Sequence, residues 1–174
     1  DHLSGQIDLN LLFNVASAGG LIESLGLQGS NTVREAQAVC ATIGSPYFDD
    51  EEAGCASQKS GPAAGFLNAW RKHGAAAPSW VRGPYAVVIV DASKEAVFLA
   101  VDRFAIRSLC YRVSGGQLQF ATRADELADH GAEIDPQAIF DYLFFHVIPS
   151  PRTIYKGVYR LPPGHYALFD SGQL

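Results

Sequence analysis

The side chains that could do chemistry in this chain are few and widely spaced. The sequence contains three cysteines, Cys40, Cys55 and Cys110, and a cysteine thiolate can serve as a nucleophile or as a metal ligand. The cysteines form neither an even set nor a CxxC pair, so we expect no disulfide framework and no structural zinc site. This cysteine usage favours a reducing compartment, and we therefore expect a cytoplasmic protein.

The other candidate groups also fail to form known catalytic or binding motifs. Gly115-Gly116 lacks the neighbours of a phosphate-binding loop. Asp102-Arg103 is predicted to be a hydrogen-bonded ion pair that fixes a hairpin rather than a catalytic pair. The five histidines show no HxxxH or HxH spacing, so a metal site is not expected among them: they are His2, His73, His130, His146 and His165.

Composition limits the classes of function that the chain can have. Its 174 residues, 48% hydrophobic and 18% charged, suit one folded domain over 1–174. A formal net charge of −5 argues against a nucleic-acid partner, since such binding depends on clustered Lys and Arg. The sequence has no uninterrupted apolar stretch of the length that crosses a membrane, about 18 residues, so no membrane partner is expected.

Hydrophobic patterning in the first two thirds of the chain predicts strands, hairpins and a helix. Leu3 to Phe13 alternates loosely, as a strand does. Ala63 to His73 has helical spacing, and Gly74 follows where a C-terminal cap is expected. Two hairpins are predicted from runs of apolar and β-branched residues that flank turn residues: Tyr85 to Val90 with Ala96 to Val101, and Leu109 to Val113 with Leu118 to Ala121.

The last third of the sequence is also predicted to mix helices and strands. Thr122 to Asp125 has the spacing of a capping box before a short helix that Gly131 closes. Asp135-Pro136 is a better helix start, because Asp is a favoured N-cap and Pro fits the first turn. Ile154 to Leu161 and Tyr166 to Phe169 are predicted to be strands. The pattern is typical of an α+β fold with largely antiparallel sheets.

Three segments carry a resemblance to a known family. They are Gly83 to Asp91, a glycine and an aromatic residue before an apolar strand; Leu99 to Tyr111, similar to L-A-R-D-R-x-G-I-K/R-P-L-Y-Y; and Tyr142 to His165, which contains P-S-P-R-T-I-Y-K-G-V and R-L-P-P-G-H. Together these segments, over roughly residues 80 to 170, resemble the class II glutamine amidotransferase domain of the asparagine synthetase family.

The resemblance implies a fold and a set of partners. The fold would be the four-layer α-β-β-α sandwich of the N-terminal-nucleophile hydrolases. Family members continue into a C-terminal synthetase domain that binds ATP and Mg²⁺, so that domain is the expected partner. No cofactor is expected in the glutaminase-like domain itself. A homodimer is a further expectation.

The same resemblance shows which chemical groups are missing. The family uses an N-terminal cysteine as its nucleophile, and aligning Ser4 to Asp8 with the family's A-G-I-x-D places Asp1 at that position, so we predict no catalytic residue. The family turn N-G-E-x-Y-N falls on Ile43 to Phe48, which keeps Gly44 as a backbone oxyanion donor but has Ile and Ser for Asn and Glu. A family aspartate would fall near Gly61 to Ala64, where there is no acid.

These substitutions favour one hypothesis and leave two alternatives. The leading hypothesis is a glutaminase-like domain without activity that serves a structural, interdomain role in an ATP-dependent amide-forming enzyme, as in β-lactam synthetases or lasso-peptide cyclases. The first alternative is an active asparagine synthetase glutaminase whose cysteine lies before Asp1. The second is a stand-alone protein-binding domain.

Overall fold

The computed structural model describes residues 2–8 and 31–170. The strands are β1 (Ser4–Asp8), β2 (Asn31–Arg34), β3 (Ala38–Gly44), β4 (Tyr47–Phe48), β5 (Val81–Arg82), β6 (Tyr85–Asp91), β7 (Ala96–Val101), β8 (Cys110–Ser114), β9 (Gln117–Ala121), β10 (Tyr159–Arg160) and β11 (Tyr166–Asp170). The α-helices are α1 (Glu51–Ser60), α2 (Pro62–His73) and α3 (Pro136–Phe145), and 3-10 helices lie at Gly74–Trp80 and Ala124–Leu127.

Antiparallel pairing joins the strands into two main sheets. One sheet has the order β1-β9-β8-β10, the other has the order β11-β7-β6-β3-β2, and β4 pairs separately with β5. Both predicted hairpins are confirmed: Ala86 is the Cα partner of Val101, and Val113 is that of Leu118. The second hairpin turns through Gly115 and Gly116, whose φ angles are +59° and +78°, a region that favours glycine.

The two sheets stack face to face on a shared apolar core. Side chains alternate between the faces of a strand, so Val39 and Ile43 of β3 point into this core. Leu99 of β7 joins them from the same sheet, and Ile7 and Phe120 enter from the four-stranded sheet. Every residue of β6 and β7 is buried, which makes this hairpin the centre of the molecule.

An α-helical layer covers the outer face of the five-stranded sheet, and the 3-10 turn Ala124–Leu127 lies on the outer face of the other sheet. On the five-stranded sheet, Phe66 and Trp70 of α2 pack against a cluster that includes Val87 and Ile89, and the Trp70 indole donates to the Asp91 carboxylate at 2.8 Å. On the other sheet, the outer cover is thin: Leu127 and Val158 pack on Cys110 and Ala121. The architecture confirms the predicted α+β class with antiparallel sheets in helix, sheet, sheet, helix order.

Two local predictions were wrong. Thr122 does not cap a helix that runs to Gly131; a single 3-10 turn ends at Leu127 with no side-chain cap. The Arg123 guanidinium holds the Asp125 carboxylate at 2.6 Å, so that carboxylate is not available for the reciprocal cap.

The second error is the strand predicted over Ile154 to Leu161, of which only Tyr159–Arg160 is a strand. The Thr153 hydroxyl donates to the Val158 carbonyl at 2.8 Å and accepts from the Tyr155 N–H at 3.2 Å. These local bonds take backbone groups that a strand ladder would use. The strand predicted over Leu3 to Phe13 is confirmed at Ser4–Asp8, and its remainder lies outside the described residues.

Candidate functional site

Gly44 lies at the end of β3, where the backbone of the next strand leaves no room for a side chain. Its φ is +98°, and a Cβ built on it would lie 2.2 Å from the Pro84 carbonyl oxygen. Ser45 donates its backbone N–H to that same oxygen at 2.9 Å. Glycine is therefore required here by both conformation and space.

The pairing pattern also fixes the direction of the Gly44 N–H. Hydrogen-bonded pairs alternate along an antiparallel ladder, and Ser45 bonds to Pro84. The Gly44 N–H is consequently directed away from β6. This orientation is what a backbone oxyanion donor needs, and the role of Gly44 stays a prediction. Asp1, the residue predicted at the nucleophile position, lies outside the described residues.

Ile43 is the residue that the motif alignment predicts at the asparagine position of the glutaminase turn. Its side chain is only 2% exposed and packs between the two sheets. The neighbouring Thr42 hydroxyl donates a hydrogen bond to the Ala86 carbonyl oxygen at 2.9 Å. The side chains that immediately precede Gly44 are thus an apolar isoleucine and a threonine whose hydroxyl is already hydrogen-bonded, and neither provides a free amide donor.

The start of α2, where the sequence lacks an expected acid, is held by an amide from another strand. Asn31 of β2 accepts the Ala63 N–H through its side-chain oxygen at 2.7 Å. A Cβ on Gly61 would lie 2.4 Å from the same amide group. Sequence reasoning missed Asn31, because the residue is 32 positions from its partner and no local pattern marks such a cap.

The acidic run Asp49 to Glu52 at the start of α1 is structural. Asp50 caps α1 by accepting the Ala53 N–H at 3.0 Å, and it also contacts Lys72 at 2.7 Å and His73 at 3.2 Å. The Lys72 ammonium, followed by the Ala53 N–H, holds the pKa of the Asp50 carboxyl well below its usual range. Asp49 pairs with Arg82 at 2.7 Å, so the run ties α1 to α2 and to β5.

The cysteines do not form an activated thiol in the described part of the chain. Cys40 and Cys110 are buried, and burial raises the pKa of each, which disfavours the reactive thiolate. Cys55 lies exposed on α1. Across residues 2–8 and 31–170, no three His, Cys, Asp or Glu side chains gather in a way that could hold a metal ion. None of the helices in these ranges is long and apolar enough to cross a membrane.

The predicted ion pair between Asp102 and Arg103 was wrong. Among the described residues the Asp102 carboxylate, only 2% exposed, makes no salt bridge with Arg103. It accepts four backbone N–H groups at 2.9 to 3.2 Å, those of Tyr85, Phe104, Ile106 and Arg107. Charge-assisted bonds to N–H groups satisfy the buried carboxylate, so Asp102 fixes the loop after β7 through the backbone.

A family comparison decides how this arrangement is to be classified. The profile described as glutamine amidotransferase domain matches residues 52–174. The chain belongs to the glutamine amidotransferase domain family. The match includes α1, α2 and most of both sheets, and it confirms the resemblance that the motifs of the sequence indicated.

Individual relatives of this glutamine amidotransferase domain are asparagine synthetases and amidases. Asparagine synthetase [glutamine-hydrolyzing] 1 from Bacillus subtilis is 31% identical over 100 residues, which are 56% of this chain and 16% of the relative. Amidase chyE from Penicillium rubens is 34% identical over 101 residues, which are 57% of this chain and 15% of the relative. The chain thus spans only about one sixth of these relatives.

One solved structure is weakly similar in shape. The glutamine phosphoribosylpyrophosphate amidotransferase from B. subtilis aligns over 79% of this chain and 28% of its own, with a TM-score of 0.41 and 13% identity.

Proposed function

We propose that this domain does not hydrolyse glutamine and that it serves as an interdomain-contact module of an ATP-dependent amide-forming enzyme. The observation that carries the first part is the burial of Ile43 between the sheets, beside Gly44. An oxyanion is stabilised by converging donors, and loss of one donor costs about 3 kcal/mol of transition-state stabilisation, or roughly a hundredfold in rate. An isoleucine side chain supplies no donor.

Two further features support the absence of glutamine hydrolysis. Ser45 and the Gly61 to Ala64 segment carry no carboxylate that could hold the ammonium group of glutamine. At the second of these places, the Ala63 N–H already bonds to Asn31. Cys40 and Cys110 are buried, which raises the pKa of each thiol and disfavours the thiolate that nucleophilic attack requires.

The test of this part is a glutaminase assay on the full-length protein, with an asparagine synthetase as a positive control. We expect no release of glutamate above background, with or without ATP and Mg²⁺. Robust release that a thiol alkylator abolishes would overturn the proposal and favour an active glutaminase with a cysteine upstream of Asp1. Release that alkylation leaves unchanged would point to a contaminant.

The interdomain part of the proposal rests on the surface of α3. Of its ten residues only Ala138 is buried, and Phe140, Leu143 and Phe144 are 61%, 71% and 69% exposed. We call the exposed α3 surface the set of apolar side chains that face outward here: Ile139, Phe140, Tyr142, Leu143, Phe144, Phe145 and Val147. A contiguous apolar patch of this kind on a folded domain marks an interaction site.

Ion pairs on the polar side of α3 hold the helix, and with it the exposed α3 surface, in one orientation. Arg152 contacts Asp135, the N-cap of α3, at 2.7 Å, and Asp141 within the helix at 3.3 Å. Asp135 also accepts the Gln137 N–H at 3.0 Å. The Arg152 guanidinium, followed by this N–H, holds the pKa of the Asp135 carboxyl below its ordinary value. The helix is thus fixed to the following loop with its apolar side chains directed away from the domain.

We assign a synthetase-type domain of the same protein as the partner of this surface. The relatives are about six times longer than the part that this chain matches, and the ATP and Mg²⁺ chemistry would belong to that additional domain. Permanent interfaces are more hydrophobic than transient ones, and the exposed α3 surface is apolar almost throughout.

Limited proteolysis of the full-length protein tests this assignment. We expect Phe144→Ser to expose the interdomain connection and speed its cleavage, with the circular dichroism of the protein unchanged. Val113→Ser is the control, because Val113 is an exposed apolar residue on β8, outside α3. Equal cleavage rates for Phe144→Ser and the unmodified protein would contradict the docking of a domain on α3.

A further inference from the structure

An apolar cleft lies between the 3-10 helix Gly74–Trp80 and the loop that follows β7. Its volume is about 1010 Å³, and its lining includes Ala76, Val81, Pro84, Tyr85, Val101 and Tyr166. A volume of this size suits a small ligand. The turn at Ile43 to Phe48 contributes no lining residue, although Pro84, whose carbonyl oxygen crowds Gly44, lines the cleft.

The floor of the cleft is rigid. The ring of Tyr85 is buried and packs on Phe66 with ring centroids 4.9 Å apart. Burial, with the nearby Asp102 charge, raises the pKa of Tyr85 to about 12, so its hydroxyl stays neutral at physiological pH. The Tyr166 ring packs on Phe98 at 5.4 Å. The cleft is therefore largely formed before any ligand arrives.

The wall of the cleft presents large apolar side chains on a fixed backbone. Asp102 accepts the N–H groups of Phe104 at 2.9 Å and Ile106 at 3.2 Å, yet these two side chains are 74% and 63% exposed. An exposed apolar residue on a mobile loop could fold back onto the protein. Here the buried carboxylate holds both residues at the rim.

The charge at the rim selects the kind of ligand. Of the three ionisable side chains other than tyrosine that line the cleft, Asp102 is buried and accepts four N–H groups. Arg82 is paired with Asp49 at 2.7 Å. Arg103 is exposed, lies 6.0 Å from the Phe104 ring, and has no salt bridge within the described ranges. One cation thus remains over an apolar cavity.

We propose that this cleft binds a carboxylate with an apolar body, either a small acid or the C-terminus of a peptide. The apolar body would fill the space over Tyr85 and Val101, and the carboxylate would meet the Arg103 guanidinium at the rim. A guanidinium pairs with a carboxylate through two parallel hydrogen bonds, so the cleft should bind an acid more tightly than its neutral amide.

Isothermal titration calorimetry on the full-length protein tests the proposal with matched probes. The probes are 3-phenylpropionate, its neutral analogue 3-phenylpropanamide, and a short peptide that ends in phenylalanine with either a free or an amidated C-terminus. We expect each acid to bind at least about tenfold more tightly than its amide, the factor that corresponds to about 1.4 kcal/mol. Tighter binding of the free-acid peptide than of the small acid would identify a chain terminus as the source.

Three variants make the outcome decisive. Arg103→Gln should remove the preference for acid over amide and leave amide binding unchanged, since Arg103 is exposed and the fold does not depend on it. Lys59→Gln, which removes the same charge from the end of α1, should change neither the preference for acid over amide nor the affinity for the amide. Ala76→Trp should fill the cleft and abolish binding of both. The proposal is overturned if no acid binds, if Arg103→Gln keeps the preference, or if both peptides bind equally well.

Discussion

Replacement of Gly44 by alanine gives the sharpest test of the geometry at the end of β3. The new Cβ would lie 2.2 Å from the Pro84 oxygen and 2.9 Å from the Pro84 carbonyl carbon. These are backbone atoms of a strand partner, so they cannot rotate away as a side chain could. The positive φ costs an alanine about 1 to 2 kcal/mol, and the forced shift of packed structure adds about 1 to 3 kcal/mol. We therefore expect Gly44→Ala to lower the free energy of unfolding by about 2 to 5 kcal/mol.

Gly131→Ala is the matched control for this measurement. Gly131 has a φ of +84°, close to that of Gly44, but no atom lies within 4 Å of the Cβ that alanine would place there. In urea denaturation, Gly131→Ala should lower the free energy of unfolding only by the cost of the positive φ. Gly44→Ala should lower it by the same cost and, in addition, by the cost of the steric clash with Pro84. For a chain of this length the steric part corresponds to a drop in Tm of roughly 2 to 12 °C. Equal losses in the two variants would refute the close approach of β3 and Pro84.

Three further changes have expected outcomes. The pKa of Asp50 in the folded protein lies below its unfolded value of about 3.9. The ionised carboxylate therefore stabilises the fold above about pH 3.9, and this stabilisation is lost as the pH falls through the folded pKa. In urea denaturation, Asp50→Asn should unfold at a lower urea concentration than the unmodified protein at pH 7, and the difference should shrink in acid. Phe66→Ala should lower the free energy of unfolding by about 3 to 5 kcal/mol, because the Phe66 side chain of α2 is fully buried against the sheet. A loss of unfolding free energy no larger than that caused by replacing an exposed phenylalanine with alanine would contradict this packing. Ala105→Gly should raise the free energy of unfolding by about 0.5 to 1 kcal/mol, because Ala105 has a φ of +49° that glycine adopts without strain. A lower Tm for this variant in scanning calorimetry would contradict a strained, positive φ at this position.

The elements that the sequence predicted well are those whose signals are local. The β6–β7 and β8–β9 hairpins pair neighbouring runs of β-branched and apolar residues, and α2 ends at His73, directly before Gly74, as the sequence predicts. The Asp135 cap is also confirmed, with the Gln137 N–H 3.0 Å from its carboxylate. In each case, the residues that decide the structure lie within a few positions of one another.

The features that the sequence did not predict depend on distant partners. Asn31 meets Ala63 across 32 positions, and β1 joins β9 by pairing Ser4 with Ala121. The exposed α3 surface was missed for another reason. Helical spacing at Ile139 and Leu143 shows that a helix forms, but the spacing does not tell whether its apolar residues face this domain or another one.

The candidate site could be predicted in outline only. Motif spacing predicted Gly44 as an oxyanion donor and Ile43 as a substitution, and both assignments stay predictions; the structure shows that Ile43 is buried between the sheets. The motif could not show that the Pro84 carbonyl crowds Gly44, or that Asp102 collects backbone donors rather than a guanidinium. Those relations come from the register of β3, β6 and β7.

Burial of the whole β6–β7 hairpin has a consequence for how this domain opens. All thirteen residues of Tyr85–Asp91 and Ala96–Val101 are buried, and strands lie on both sides of the hairpin in the order β11-β7-β6-β3. Amide protons held this deeply exchange with solvent only when the domain unfolds globally. In deuterated water, this hairpin should retain its protons longest, and its exchange rate should report the stability of the entire fold.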